Sequence, residues 1–183
     1  MKIVLQHLML ASLLLAGCVP SLNPVYTEKD VTFDRALLGR WKQKDSTATW
    51  HFTKHGDNAY HLSYADEDGR TGRFVVHLTR IGDATFMDLF PEKTNVETSA
   101  FYQFHLIPIH TVYLVETIDA EPKFAAIDFE WLDEHLAANP QAVPFVTFDG
   151  RKLITASTDD LRKFVSENRD HFTSRFELEH AGE

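Results

Sequence analysis

The sequence predicts a mainly β protein with two helices: an antiparallel meander that closes into a barrel, one helix set between late strands and a second, C-terminal helix. Three observations predict it. Apolar and polar residues alternate through nine segments, the period at which successive side chains leave opposite faces of a strand. The breaks between them are rich in Gly, Asn and Asp, which accept the positive φ of tight turns and so make sequence neighbours antiparallel. The chain also carries 14 Phe, 5 Tyr and 3 Trp in 183 residues, an aromatic density suited to strands around an apolar interior.

Ahead of the strands, Met1-Lys2 makes a positive start, residues 8–15 are apolar apart from Ser12, and the small residues Ala16 and Gly17 precede Cys18. This is the pattern of a secretory signal peptide over residues 1–17. Its apolar run is shorter than the ~20 residues a spanning helix takes. Leu15-Ala16-Gly17-Cys18 resembles the lipobox of bacterial lipoproteins. That resemblance implies diacylglycerol on the Cys18 thiol, cleavage before Cys18 and acylation of the new amine by a fatty acid such as palmitate. Cys18 is the only cysteine, so it has no disulfide partner within the chain, and lipidation would remove an exposed free thiol. Two or more acyl chains hold a protein stably where one does not. In the sorting rule of enteric lipoproteins an Asp after the cysteine retains the protein at the inner membrane; Val19 stands there, which implies the outer membrane, facing the periplasm.

Residues 18–32, with Pro20 and Pro24 among Ser, Asn and Thr, read as an extended, solvated tether, and residues 33–183 as one domain. The predicted strands are 41–44, 48–54, 59–65, 73–80, 84–90, 111–118, 123–127, 145–148 and 153–156. Turn chemistry falls between them at Gly56-Asp57-Asn58, Asp66 to Gly69, Gly82-Asp83 and Asp149-Gly150. Asp128 is placed to cap a helix that stops at Asn139-Pro140, and Thr158 to cap another with Leu161, Phe164 and Val165 on one stripe and Arg169 near its end. Residues 96–108 suit either a helix or a strand. The alternation makes one dry face, with Trp50, Phe52, Tyr60, Leu62, Tyr64, Phe74, Val76, Met87 and Leu89. The other face is wet, with His51, Thr53, His61, His77 and Asp88. A sheet with one dry face must close or be covered, and the strand count favours closure.

Phe33-Asp34-Arg35-Ala36-Leu37-Leu38-Gly39-Arg40-Trp41 resembles the opening of the lipocalin and calycin group, in which a short turn leads to Gly-x-Trp on the first strand. The resemblance implies a lipocalin-like barrel with Trp41 closing one end. In lipocalins an arginine packs on that Trp, and Arg151 and Arg162 are available for the role. The central Thr-Asp-Tyr motif is missing, and the helix after Asp128 stands where a lipocalin has a hairpin. Ser21-Leu22-Asn23-Pro24 and Leu106 to Thr111 are also similar to segments of small bacterial envelope lipoproteins, a likeness that implies no activity.

A net charge of −9 with no Lys/Arg block argues against nucleic acid, whose binding depends on clustered cations. No Gly-x-Ser-x-Gly, Ser-x-x-Lys, His-Glu-x-x-His or phosphate loop occurs. No nucleophile and no cofactor is therefore implied, and the balance leans away from an enzyme. An acid pair of Glu116 and Asp128 would need tertiary proximity. If Tyr64 pairs with Phe74, then His61 lies opposite His77 and Asp88 on its other side, a row spaced about 4.5–5.5 Å that could ligate zinc or share hydrogen bonds on a polar exterior. His105 and His110 read as separate structural residues. The expected function is a lipid-anchored envelope protein binding a small apolar or amphipathic ligand with Trp41, Trp50, Phe52, Tyr60, Tyr64 and Phe74. The alternative is an envelope interaction or assembly module, with Phe86 and Phe90 as exposed anchors.

Overall fold

In a computed structural model the described residues are 19–92, 99–103, 105–148 and 150–182. The expected signal segment and Cys18 therefore lie outside them, as does Asp149 of the last predicted turn. The strands are β1 (Val19–Ser21), β2 (Val31–Thr32), β3 (Gly39–Gln43), β4 (Thr49–His55), β5 (Ala59–Ala65), β6 (Thr71–Ile81), β7 (Ala84–Pro91) and β8 (His110–Thr117). They continue with β9 (Lys123–Ile127), β10 (Phe145–Phe148), β11 (Arg151–Ile154) and β12 (Phe172–His180). The helices are α1 (Ala100–Gln103), α2 (Phe129–Ala138) and α3 (Thr158–Glu167).

Strands β3 to β9 follow one another as an antiparallel meander, and β12 pairs with both β9 and β3 to close eight strands into a barrel. All nine predicted strands are present, with ends moved by a residue or two. The closing strand was not among them. It is tied across the seam by Glu177, which accepts from Lys123 Nζ at 2.9 Å and Lys44 Nζ at 3.1 Å. Those two hydrogen bonds hold the Glu177 carboxyl below its ordinary range.

Local chemistry sets the hairpins. Ile81 pairs with Ala84, and Gly82 between them has φ 62°, the positive φ wanted at the first position of a two-residue loop. In the β5–β6 loop, Asp66 Oδ1 accepts from the backbone N–H of Asp68 and of Arg70, an Asx-type turn that lets pairing start at Ala65 and Thr71. This moves the register away from the predicted one: Tyr64 pairs with Gly72, and Leu62 with Phe74.

The edge of β8 is shared. Its last residues pair with β9 inside the ring, while Val112 to His110 pair with β1, which is followed outward by β11 and the edge strand β10. Two cores result. Trp41, Phe52, Tyr60, Leu62, Met87 and Phe124 fill the barrel. On the outside of β7 to β9, Phe86, Val112 and Ile127 pack with Leu132 of α2, Leu161 and Phe164 of α3, and Val19 and Val25. The segment that reads as a solvated tether is therefore extended but packed, because Val19, Ser21 and Val25 are all buried.

Asp128 caps α2 as predicted, accepting from Trp131 N–H. The α3 cap is Ser157 rather than Thr158; its hydroxyl accepts from Asp160 N–H. Arg169 falls in the turn beyond α3, where it pairs with Asp83 at 2.7 Å. α3 lies on the outer core, and its Leu161, Phe164 and Val165 stripe is buried.

Candidate functional site

The six aromatic positions expected to hold a ligand are mostly taken up by packing. Trp41, Trp50, Phe52 and Tyr60 are buried in the barrel, whereas Tyr64 and Phe74 are half-buried against the same core. One barrel end is plugged. Phe33 stacks on Tyr60 at 4.6 Å between centroids, and the Tyr60 hydroxyl accepts from Asp34 N–H at 2.6 Å and donates to Asp34 C=O at 2.9 Å. Burial pushes the Tyr60 hydroxyl up to about 12. Trp41 donates from Nε1 to Leu37 C=O and stacks on His180. Neither arginine packs on it: Arg151 is exposed in β11, and Arg162 binds Val25 C=O and Asp30. Where the resemblance implied an arginine on Trp41, the stacked side chain is His180.

A cleft of about 340 Å³ is lined by Arg40, Thr49, His51, Ser63 and Thr71 together with Trp41, Trp50 and Tyr64. Because Trp41, Trp50 and Tyr64 point inward and their strand neighbours outward, this cleft runs along the outside of β3 to β6. Trp50 Nε1 is buried without a partner among the described residues.

The proposed row of His61, His77 and Asp88 is split. With Tyr64 on Gly72, His61 faces Val75 instead of His77, and its Nδ1 contacts Glu92 Oε1. His77 does face Asp88 across the β6–β7 ladder, but the site is not a wet surface. Asp88 is 0% exposed beneath the N-terminal segment. Its Oδ2 accepts from Val25 N–H at 2.9 Å and its Oδ1 from the Nδ1–H of His110 at 2.7 Å. His77 stacks on Tyr26 at 4.0 Å, and its Nδ1 has no partner among the described residues. Burial lowers the His77 pKa against the opposing pull of Asp88, with His55 and His110 lowering it further. Burial first, then Asp88 and Glu28, raises that of Tyr26. Among the described residues no three His, Cys, Asp or Glu side chains group as a metal site. The arrangement is a clasp: a carboxylate fixed by His110 of β8 through Oδ1 holds the N-terminal segment on the barrel wall through Oδ2, at Val25 N–H. Sequence reasoning missed His110 and Val25 because they reach Asp88 from 22 and 63 residues away, and no local spacing marks such a meeting.

Other expectations resolve simply. Glu116 pairs with Arg175 at 2.7 Å and Asp128 caps α2, so they form no acid pair. Phe86 is buried in the outer core rather than exposed, because the helices cover the face it points from. Phe90 is half-buried and packs on the His110 ring. The described part of 96–108 includes the short helix α1, which exposes Phe101 and Tyr102, and beyond it Leu106 and Ile107 are exposed as well. No described helix is long and apolar enough to cross a membrane. Comparison with known protein families, curated proteins and solved structures finds no match to this chain.

Proposed function

We propose that the protein is a lipid-anchored component of the cell envelope, held by acyl chains on Cys18 at the periplasmic face of the outer membrane, and that it works through its outer surface as an interaction module. The observation that carries this reading is the occupied barrel. Trp41, Phe52 and Tyr60 pack on each other and on the Asp34 plug, so the aromatic side chains that would line a ligand chamber fill it themselves, as small barrels commonly do. Site-specific photo-crosslinking in intact envelopes tests it. Adducts between the barrel wall and another polypeptide support it; recovery of free monomer alone, with a small molecule extracted from the purified protein, overturns it. That second outcome belongs to the other reading, an amphipathic small-molecule binder. The 340 Å³ cleft favours it, since ligand sites start near that volume.

A further inference from the structure

The large apolar side chains that the described residues leave exposed are Leu22, Phe101, Tyr102, Leu106, Ile107, Val146 and Phe148. All seven fall in three stretches, residues 19–27, 98–115 and 135–148, that contain no Asp, Glu, Lys or Arg, in a chain of which 25% is charged. The topology brings these stretches together. Ser21 pairs with His110 on one side and Ile154 on the other, and Leu22 N–H donates to Ile154 C=O. Beyond β11, Val146 pairs with Leu153 and Phe148 with Arg151. Val146, Phe148, Leu153 and Arg151 therefore share one face of the edge hairpin, with Phe148 at 74% exposure, Val146 at 48% and Arg151 also exposed. The segment leading into His110 adds Ile107 at 73%.

The chain that precedes this margin ends on it. Val19, the first residue of β1, is fully buried, and the Cα of Cys18 can lie only ~3.8 Å from that of Val19. Two strand spacings of ~4.8 Å separate β1 from β10, which puts Phe148 about 10 Å from Val19. No length of free chain intervenes between the cysteine and the wall.

We propose that this margin, built on three uncharged stretches, is the lipid-contacting face: the hairpin β10–β11 and the segment around α1 rest in the headgroup region of the bilayer that carries the Cys18 acyl chains. Phe148, Tyr102 and Ile107 insert, and Arg151 meets lipid phosphate. The proposal rests on the reading of Cys18 as the acylated residue. Aromatic side chains with an adjacent cation are the chemistry of that interface. An acidic chain approaches lipid phosphate most easily through the part of its surface poorest in carboxylates. An exposed apolar margin of this kind otherwise invites association. The barrel wall at β4, four strands from β8 in the ring of eight, then faces away from the membrane.

The test uses full-length, processed protein reconstituted into phosphatidylethanolamine/phosphatidylglycerol vesicles containing nitroxide-labelled lipid. A fluorophore is attached to Ile107→Cys, Phe148→Cys or, on the exposed part of β4, Thr53→Cys, while mass spectrometry reads Cys18. Acylated Cys18 with severalfold stronger quenching at 107 and 148 than at 53 is the expected result. Acylated Cys18 with equal quenching at all three overturns the face alone. Labels at 107 and 148 that escape the nitroxide and crosslink to a second polypeptide in intact envelopes overturn it in favour of a protein partner. An unmodified Cys18 overturns the anchored reading and this face with it.

Discussion

Replacing Asp88 tests the clasp, and two replacements separate its geometry from its charge. Asp88→Leu keeps a similar volume but removes both acceptors, stranding Val25 N–H and the His110 ring at a site with no solvent exposure. Each hydrogen bond to a charged group contributes about 1.5–3 kcal/mol, and uncompensated buried partners add to the loss. The expected cost is about 3–5 kcal/mol, a large share of a total stability of about 5–15 kcal/mol. Asp88→Asn can keep both contacts. Its carbonyl accepts from Val25 N–H, and its amide donates to His110 Nδ1 once the ring carries its proton on Nε2. The expected cost is about 1 kcal/mol. Urea titration measures both variants. Amide exchange at Val25 and Leu22, with protease cleavage after Lys29, shows where the loss falls. Equal destabilisation by Leu and Asn, or unchanged exchange at Val25 in Asp88→Leu, would refute the clasp.

Tyr60→Phe should cost about 1–2 kcal/mol by removing the hydroxyl that bridges Asp34. In the wild type the folded-state hydroxyl titrates near 12 and the unfolded one near 10, so its contribution is intact below pH 10 and about 3 kcal/mol is lost as pH rises through 12. A variant with the same alkaline decline as wild type would show that another group causes it. His77 has the opposite sign. Its folded pKa lies below 6.5, so stability is full above that pH and falls as acid protonates the unfolded state first. His77→Phe should flatten the drop between pH 7.5 and 5.5 in urea midpoints, and an unaltered slope would acquit His77. A chain begun at Leu22 should still fold, because the barrel ring excludes β1. Loss of the buried Val19 side chain should nevertheless lower its stability by about 1.5–3 kcal/mol, and an unchanged melting temperature would mean that β1 does not hold the outer core.

Alternation made the meander legible because β4, β5 and β6 keep their period, with Trp50 and Phe52, Tyr60 and Leu62, and Phe74, Val76 and Leu78 all turned to the barrel core. It was silent on closure for a physical reason. Phe176 and Leu178 of β12 alternate with Glu177 and Glu179, and in a one-dimensional reading such a charged strand resembles a solvated tail. Its charges belong to the barrel exterior, where Glu177 meets Lys123 and Lys44. The histidine row failed by a two-residue shift of register, Tyr64 meeting Gly72 instead of Phe74, set by two hydrogen bonds to Asp66 inside a loop. A slip of that kind changes which side chains are partners without changing which strands are neighbours.

The deeper limit is the assumption that one face of the sheet is wet. From β7 to β9 both faces are dry, yet Phe86 and Asp88 in β7 sit at the alternate positions that normally mark the exterior. Periodicity reports which residues share a face, and only the rest of the chain decides whether that face meets water. Here α2, α3 and the N-terminal segment cover it, so the stretch richest in tether-like residues becomes part of the second core. A buried carboxylate then needs donors, and Val25 N–H and His110 supply them. The polar alternation that placed Asp88 on an outer face and the burial that made it a clasp are two consequences of one strand lying between two cores. They also explain why Val19, the residue after Cys18, is already fixed against the barrel wall.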